Sequence, residues 1–355
     1  MTFSPLLTEK EILARIESQK SLYAPLTIVS IEEQPTTGLG YRPDARVTLA
    51  LKNRNVVFFA EVKTRTAPKM IEEALWRVKN TAVSAGSNFL LIVPYLSPSI
   101  VELLNREKAN GIDLNGNYLI QAQDMIAMRL DQKNRFPESQ PIKNVFAGES
   151  SLVGRLFLSA DRRFQSVNEV LSGIKSLGGG LSQSAVSKVL KGLEDELIIE
   201  KGPDGIALLQ PEKLLRKLGE NYRQPRISGS VKLKLPGISA KADLKMTDEL
   251  RGILRGGRWI ISGESSAQRY AVMADASVLK IYLTDNTSLL KHQDDRFYNV
   301  LAQTTDAAFP YFDAREDKGL RWSSPVQCWL ELSKLDKRER EIADGVREVI
   351  LGGAK

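Results

Sequence analysis

The strongest constraint on this chain lies between residues 150 and 209, where three short helical periodicities run into a two-stranded turn pattern. Ser150 to Ser159 puts Leu152, Val153, Leu156 and Phe157 on one face. Val167 to Ser176 does the same with Val170, Leu171 and Ile174. Gly178-Gly-Gly180 breaks the run, and Ser182 is placed to cap a third helix, Gln183 to Leu193. Its apolar positions, Val186, Val189, Leu190 and Leu193, follow the i, i+3, i+4, i+7 spacing of a half-buried helix. The opposite face carries Gln183, Ser184, Ser187, Lys188 and Lys191, with no acid until Glu194. Short hydrogen-bonding groups flanked by cations suit the DNA major groove, where base edges lie between rows of phosphates. Leu197 to Leu209 then reads as two strands around a Gly-Pro-Asp-Gly turn.

Three helices and a hairpin in this order resemble the winged helix-turn-helix of bacterial regulators, over about 75 residues. The resemblance implies that Gln183, Ser184 and Ser187 meet bases or nearby phosphates, and that Lys188, Lys191 and the wing's Lys201 meet phosphates. The plainer alternatives are a winged helix used for protein contacts and a small helical domain.

The first 135 residues have a different rhythm. Thr8 and Glu11 form a capping-box pattern ahead of a helix with Ile12, Leu13 and Ile16 on one side. Strands are expected at Leu26 to Ile31, Ala45 to Leu51, Val56 to Val62 and Asn88 to Val93, with a last pair in Gly111 to Gln121. Helices are expected at Lys69 to Thr81 and Pro98 to Asn110. The order α-β-β-β-α-β-α-β makes an α/β sandwich. On it sit Pro43-Asp44 and, after sixteen intervening residues, Glu61-Val-Lys63 at the end of an apolar strand. Glu61 and Lys63 are two apart, so a strand projects them to one face, where Asp44 from the neighbouring strand can join them. Gly111-Ile-Asp-Leu-Asn-Gly-Asn117 reads as a tight hairpin turn, with a site role for Asp113 or Asn115 as the alternative.

This pattern resembles the PD-(D/E)xK, or restriction-endonuclease-like, superfamily. The resemblance implies a Mg²⁺ site on Asp44 and Glu61, and a Lys63 that stabilises or activates an attacking water. It also implies an accessory carboxylate on the preceding helix, for which Glu11 and Glu17 are the candidates. The alternative is a solvated strand end with Asp44 capping a turn.

Composition narrows the chemistry. The 355 residues include one cysteine and one histidine, so a disulfide framework, a multi-cysteine zinc site and a multi-histidine centre are excluded. Any metal would be a hard cation held by carboxylates. The net charge of +7 favours a polyanionic partner. It is spread +2, +3 and +2 over residues 1–139, 140–226 and 227–355, so binding must come from local patches. No signal peptide or membrane-spanning run is read, and a cytoplasmic location is expected.

Polar, proline-bearing stretches at Asp131 to Pro141 and Asn221 to Arg226 divide the chain into 1–135, 142–222 and 227–355. In the last part a strand, Val278 to Leu283, and helices at Ser324 to Leu332 and Lys337 to Leu351 are expected. Cys328 and the tryptophans Trp322 and Trp329 read as core, and His292 as a surface residue. Gly263-Glu-Ser-Ser-Ala267, Ile281-Tyr-Leu283 and Ser324-Pro-Val-Gln-Cys-Trp-Leu330 resemble the C-terminal domain of the AbiEi-like antitoxins, winged-helix regulators of type IV toxin–antitoxin systems. The resemblance runs from the winged helix to the C-terminus. It implies promoter binding and a nucleotidyltransferase-like toxin as partner. The simplest antitoxins lack the nuclease-like N-terminal segment.

The expected architecture is therefore α/β and α+β multidomain: a restriction-endonuclease-like sandwich, a central winged helix-turn-helix and a C-terminal α/β regulator-like domain. The leading functional expectation is a DNA-binding transcriptional regulator of the antitoxin kind. The alternatives are a Mg²⁺-dependent DNA endonuclease targeted by the winged helix, and a non-catalytic interaction component of a defence or mobile-element system. Double-stranded DNA, the toxin and a second copy of the chain are the candidate partners.

Overall fold

In the computed structural model the chain is mixed α/β with three sheets among the described residues. These are residues 7–35, 42–81, 88–122, 125–136, 144–159, 162–235, 251–252, 254, 257–271, 278–285, 289, 293–294 and 296–352. His292 and the second half of the 131–141 stretch lie outside them. The chain divides into two compact units, Met1–Lys143 with Asp195–Leu197, and Asn144–Glu194 with Ile198–Lys355. The stretch Asn221 to Arg226 falls inside the second unit.

The first unit is built on a seven-stranded sheet in sequence order: β1 (Thr27–Glu33), β2 (Ala45–Leu51), β3 (Arg54–Val62), β4 (Asn88–Val93), β5 (Asn110–Asp113), β6 (Tyr118–Ala122) and β7 (Met125–Arg129). The pairs β3–β4 and β4–β5 are parallel and the others antiparallel. The parallel connections are made by helices α2 (Pro68–Thr81) and α3 (Pro98–Glu107), as a parallel crossover requires. Alternation along the central strands fills two cores. Val47, Phe58, Ala60 and Val62 pack with Ile12, Leu13 and Ile16 of α1 (Glu9–Ser18). Leu91 and Val93 pack with Ile71 and Leu75 of α2 and with Ile100, Leu103 and Leu104 of α3. Each large apolar side chain so buried contributes roughly 1.5–3 kcal/mol.

The β5–β6 turn is pinned by a buried carboxylate. Asp113 accepts from the backbone N–H groups of Leu96, Asn115 and Asn117 and from the Asn117 side-chain amide, at 2.8–2.9 Å. Asn115 in turn donates to the Pro94 carbonyl. These bonds hold a turn in place.

The second unit begins with α4 (Ser151–Ser159), β8 (Arg163–Phe164), α5 (Val167–Ser176), α6 (Gln183–Asp195), β9 (Ile199–Gly202) and β10 (Gly205–Leu208). The three strands form an antiparallel sheet with β10 central. Gly205 sits at φ +104°, and a Cβ there would meet the Phe164 carbonyl oxygen at 2.4 Å, so only glycine lets β10 cross so close to β8. Helix α7 (Pro211–Asn221) follows and buries Leu214, Leu215 and Leu218.

The remaining residues form a six-stranded mixed sheet of β11 (Gly229–Leu233), β12 (Trp259–Ile261), β13 (Leu279–Leu283), β14 (Val300–Thr304), β15 (Arg315–Asp317) and β16 (Leu320–Trp322), in the order β11-β14-β13-β12-β16-β15. Among the described residues it is accompanied by helices α8 (Gly263–Ser266), α9 (Pro325–Leu332) and α10 (Lys337–Gly352). One continuous core joins α4, α5, α6 and α7 to α9 and α10, with Leu152, Phe157, Leu190 and Leu218 in the same cluster as Cys328, Leu330 and Val346. Cys328 is fully buried, and burial pushes its thiol well above the usual value.

A buried polar chain crosses this core. Arg155 of α4 donates to the Gln327 side-chain oxygen at 2.6 Å. Gln327 donates to Glu331 at 2.6 Å and to the Tyr222 hydroxyl at 3.1 Å. Glu331 also accepts the Glu264 backbone N–H at 3.0 Å. Burial lowers the Arg155 guanidinium to about 10 and raises the Glu331 carboxyl. Removing Arg155 leaves the Gln327 side-chain oxygen without its donor and takes the counter-charge of Glu331 out of the same core. Arg155→Ala is therefore expected to cost about 3–5 kcal/mol, read as a lowered denaturant midpoint. A shift below about 1 kcal/mol would show that water reaches this site.

Candidate functional site

Two clusters carry the chemistry expected from the sequence, one in each unit. In the first, Ala45 pairs with Ala60 across the β2–β3 ladder. Asp44 and Glu61, one residue beyond, therefore meet at the end of the ladder, and the two-residue strand period sets Lys63 on their face. Backbone bonds fix the arrangement. The Asp44 N–H donates to the Ala60 carbonyl at 3.0 Å, and Asp44 Oδ2 accepts the Val62 N–H at 2.7 Å. The Lys63 N–H donates to Ile92 of β4 at 2.9 Å. Glu61 is 5% exposed. Its Oε1 accepts from Lys63 Nζ at 2.6 Å.

A third carboxylate, that of Glu9 at the start of α1, lies near enough to feel the charges of this cluster. Burial raises its carboxyl above the usual value, Asp44 and Glu61 raise it further, and Lys63 opposes them. Glu11 is occupied elsewhere: its Oε2 accepts the Thr8 N–H at 2.7 Å, completing the capping box. Glu17 lies 3.8 Å from Lys20 on an exposed surface. The sequence did hold a signal for Glu9. With Ile12, Leu13 and Ile16 it continues the i, i+3, i+4, i+7 stripe that faces the sheet, one turn closer to the N-terminus.

The donor chemistry, carboxylate oxygen at the paired ends of β2 and β3, fits a hard cation. Among the described residues no three carboxylates, histidines or cysteines gather closely enough to enclose an ion. Mg²⁺ commonly takes only one or two carboxylates and completes its shell with water and substrate phosphate. Asp44 and Glu61 would be those two.

The second cluster is the outward face of α6. Gln183, Ser184, Ser187, Lys188 and Lys191 are all exposed, while Val186, Val189, Leu190 and Leu193 are buried. Ser182 caps the helix by accepting the Ala185 N–H at 3.3 Å. Gln183 donates to Asn168 of α5 at 2.9 Å, which ties the start of α6 to the preceding helix. Asn168 is a neighbour that helical periodicity alone does not reveal. Lys201 on β9 lies 3.5 Å from Glu194, so part of its charge is already answered.

No family model and no curated protein matches the chain. Among solved structures, EndoMS in its apo form is similar over 31% of this chain and 47% of that one, with 16% identity and a TM-score of 0.20. A likeness at that level supports no inference about fold or function. No helix among the described residues is long and apolar enough to cross a membrane.

Proposed function

We propose that this protein binds duplex DNA through α6 and the β9–β10 hairpin, as a transcriptional regulator of the AbiEi-like antitoxin kind. The observation that carries the reading is the exposed face of α6, where three hydrogen-bonding side chains and two lysines stand together without an acid. In this reading the segment from α4 to β10 is a winged helix-turn-helix with α6 as its recognition helix. Gln183, Ser184 and Ser187 address base edges, and Lys188 and Lys191 address phosphates. Lys201 adds a weaker phosphate contact because of Glu194. The last sheet and its helices are the regulator-like domain, with a nucleotidyltransferase-like toxin and a second copy as partners and the cytoplasm as the setting. The test is a mobility-shift titration of the full chain on duplex DNA from its own promoter, across a salt series. Affinity no tighter than about 10⁻⁴ M at physiological salt would end this reading.

A second reading is favoured by the Asp44, Glu61, Lys63 and Glu9 cluster: a restriction-endonuclease-like domain that hydrolyses DNA. Bound Mg²⁺ would supply a Lewis acid for the scissile phosphate and a more acidic water. Asp44 and Glu61 would hold it. The Lys63 ammonium, oriented by Glu61, stands where it can stabilise negative charge on the attacked phosphate. Glu9 would orient water at the rim of the cluster.

A further inference from the structure

The second unit contains a cavity of about 300 Å³ that neither functional reading uses. One wall is Ser176, Leu177 and Gly178, the end of α5 and the start of the turn that leads to α6. The facing wall comes from Arg258 and Trp259 at the start of β12, and from Tyr311 and Asp313. Glu316 and Arg321 of the β15–β16 hairpin stand at its rim.

The charges in this cavity are unequally answered. Asp313 is paired with Arg315 at 3.0 Å, and Glu316 with Arg321 at 3.0 Å. Arg258 has no carboxylate partner among the described residues. Its guanidinium lies over the Tyr311 ring, 4.6 Å from the centroid, and its one hydrogen bond among the described residues is a 3.5 Å contact to the Gly178 carbonyl. A guanidinium has five N–H donors in a planar fork matched to carboxylate and phosphate oxygens. Here the fork lies over an aromatic face and lines a space large enough for a small metabolite. Trp259, Ile260 and Leu177 supply an apolar lining.

The wall that holds Arg258 is also tied to the turn before α6. The Asp313 N–H donates to the Leu177 carbonyl at 3.0 Å, and Arg258 reaches the next carbonyl, that of Gly178. Gly178 has φ +84°, a conformation that side-chain-bearing residues rarely adopt, so the chain reverses direction there. An anion that engages Arg258 competes with its long contact to Gly178 and so acts on the residues that set the start of α6.

We propose that this cavity is an effector site for a small anionic ligand, a phosphate ester or a carboxylate, held by Arg258 against Tyr311 and coupled to the α5–α6 turn. The site stands without the DNA-binding reading. Its effect on DNA rests on that reading.

Isothermal titration of the full chain with adenosine monophosphate, inorganic phosphate and citrate tests the site and separates its sources. At least one is expected to bind with a Kd below about 1 mM, and Arg258→Ala to weaken it about tenfold or more. Arg258→Lys keeps the charge but not the fork, and is expected to restore only part of the affinity. No binding by all three probes, or equal binding by the Arg258→Ala chain, overturns the site. Amide exchange over residues 176–195, with and without the bound probe, tests the coupling without DNA. Altered protection in the wild type supports it, and unchanged protection overturns it. If ligand binds and exchange responds while no duplex is retarded, the effector site survives and the DNA-binding reading fails.

Discussion

The Lys188→Ala/Lys191→Ala chain is expected to bind duplex DNA about 60-fold more weakly than wild type at 0.1 M salt, with the difference fading as salt approaches 1 M. Each lysine–phosphate contact releases about 0.9 of a counterion, so losing two should flatten the slope of log K against log salt by about 1.8. Both side chains are exposed and lie outside the buried stripe of α6, so the fold should tolerate the change. Lys201→Ala is the internal comparison. Because Glu194 sits 3.5 Å away, its removal should flatten the slope by clearly less than either helix lysine does. Ser187→Ala, which removes no charge, should leave the slope alone and alter discrimination between sites. Superimposable salt series for wild type and the double variant would mean that α6 is not the DNA face.

Much of the fold was legible because its signals are local. The Thr8 and Glu11 capping box, strand Ala45–Leu51, strand Asn88–Val93 and helix Val167–Ser176 all lie where residue spacing places them. Strand β7 was missed for a physical reason. It is the edge strand of its sheet, and Ile126 and Met128 point into solvent, 81% and 68% exposed. Its apolar alternation therefore marks the wrong face. Helix α7 was hidden beside a stretch read as a linker, although Leu214, Leu215 and Leu218 and a proline in its first turn mark it. The last sheet was the least legible. Its strands are three to five residues long, and β11 pairs with β14 some seventy residues away, a choice that no local period encodes.

The carboxylate cluster shows the same division. Asp44, Glu61 and Lys63 were legible because two adjacent strands bring them together by register alone. Glu9 was missed, although the stripe of Ile12, Leu13 and Ile16 marks the side of the helix on which it falls. The competing role of Glu11 in the cap was visible in the same few residues and could have excluded it.

In the hydrolytic reading, Lys63→Ala is expected to lower Mg²⁺-dependent cleavage of duplex DNA by about 10²–10³-fold, the usual loss when a pre-oriented donor to a developing anion is removed. Glu61→Gln should lose as much, since it removes one of the two carboxylates that would hold the ion. Glu9→Gln should cost less, because Glu9 holds neither the ion nor Lys63 and the amide can still orient water. Lys63→Ala also strips a charged partner from a nearly buried carboxylate, so lost activity could reflect a disturbed fold. Lys63→Gln separates the two causes. It can still donate to Glu61 Oε1 and should melt close to wild type, yet it carries no charge to offer a phosphate. Retained stability with lost cleavage assigns Lys63 to the chemistry. Equal cleavage by wild type and Lys63→Gln assigns the Glu61–Lys63 pair to the scaffold, and α6 then remains as the only DNA-directed surface of the two readings.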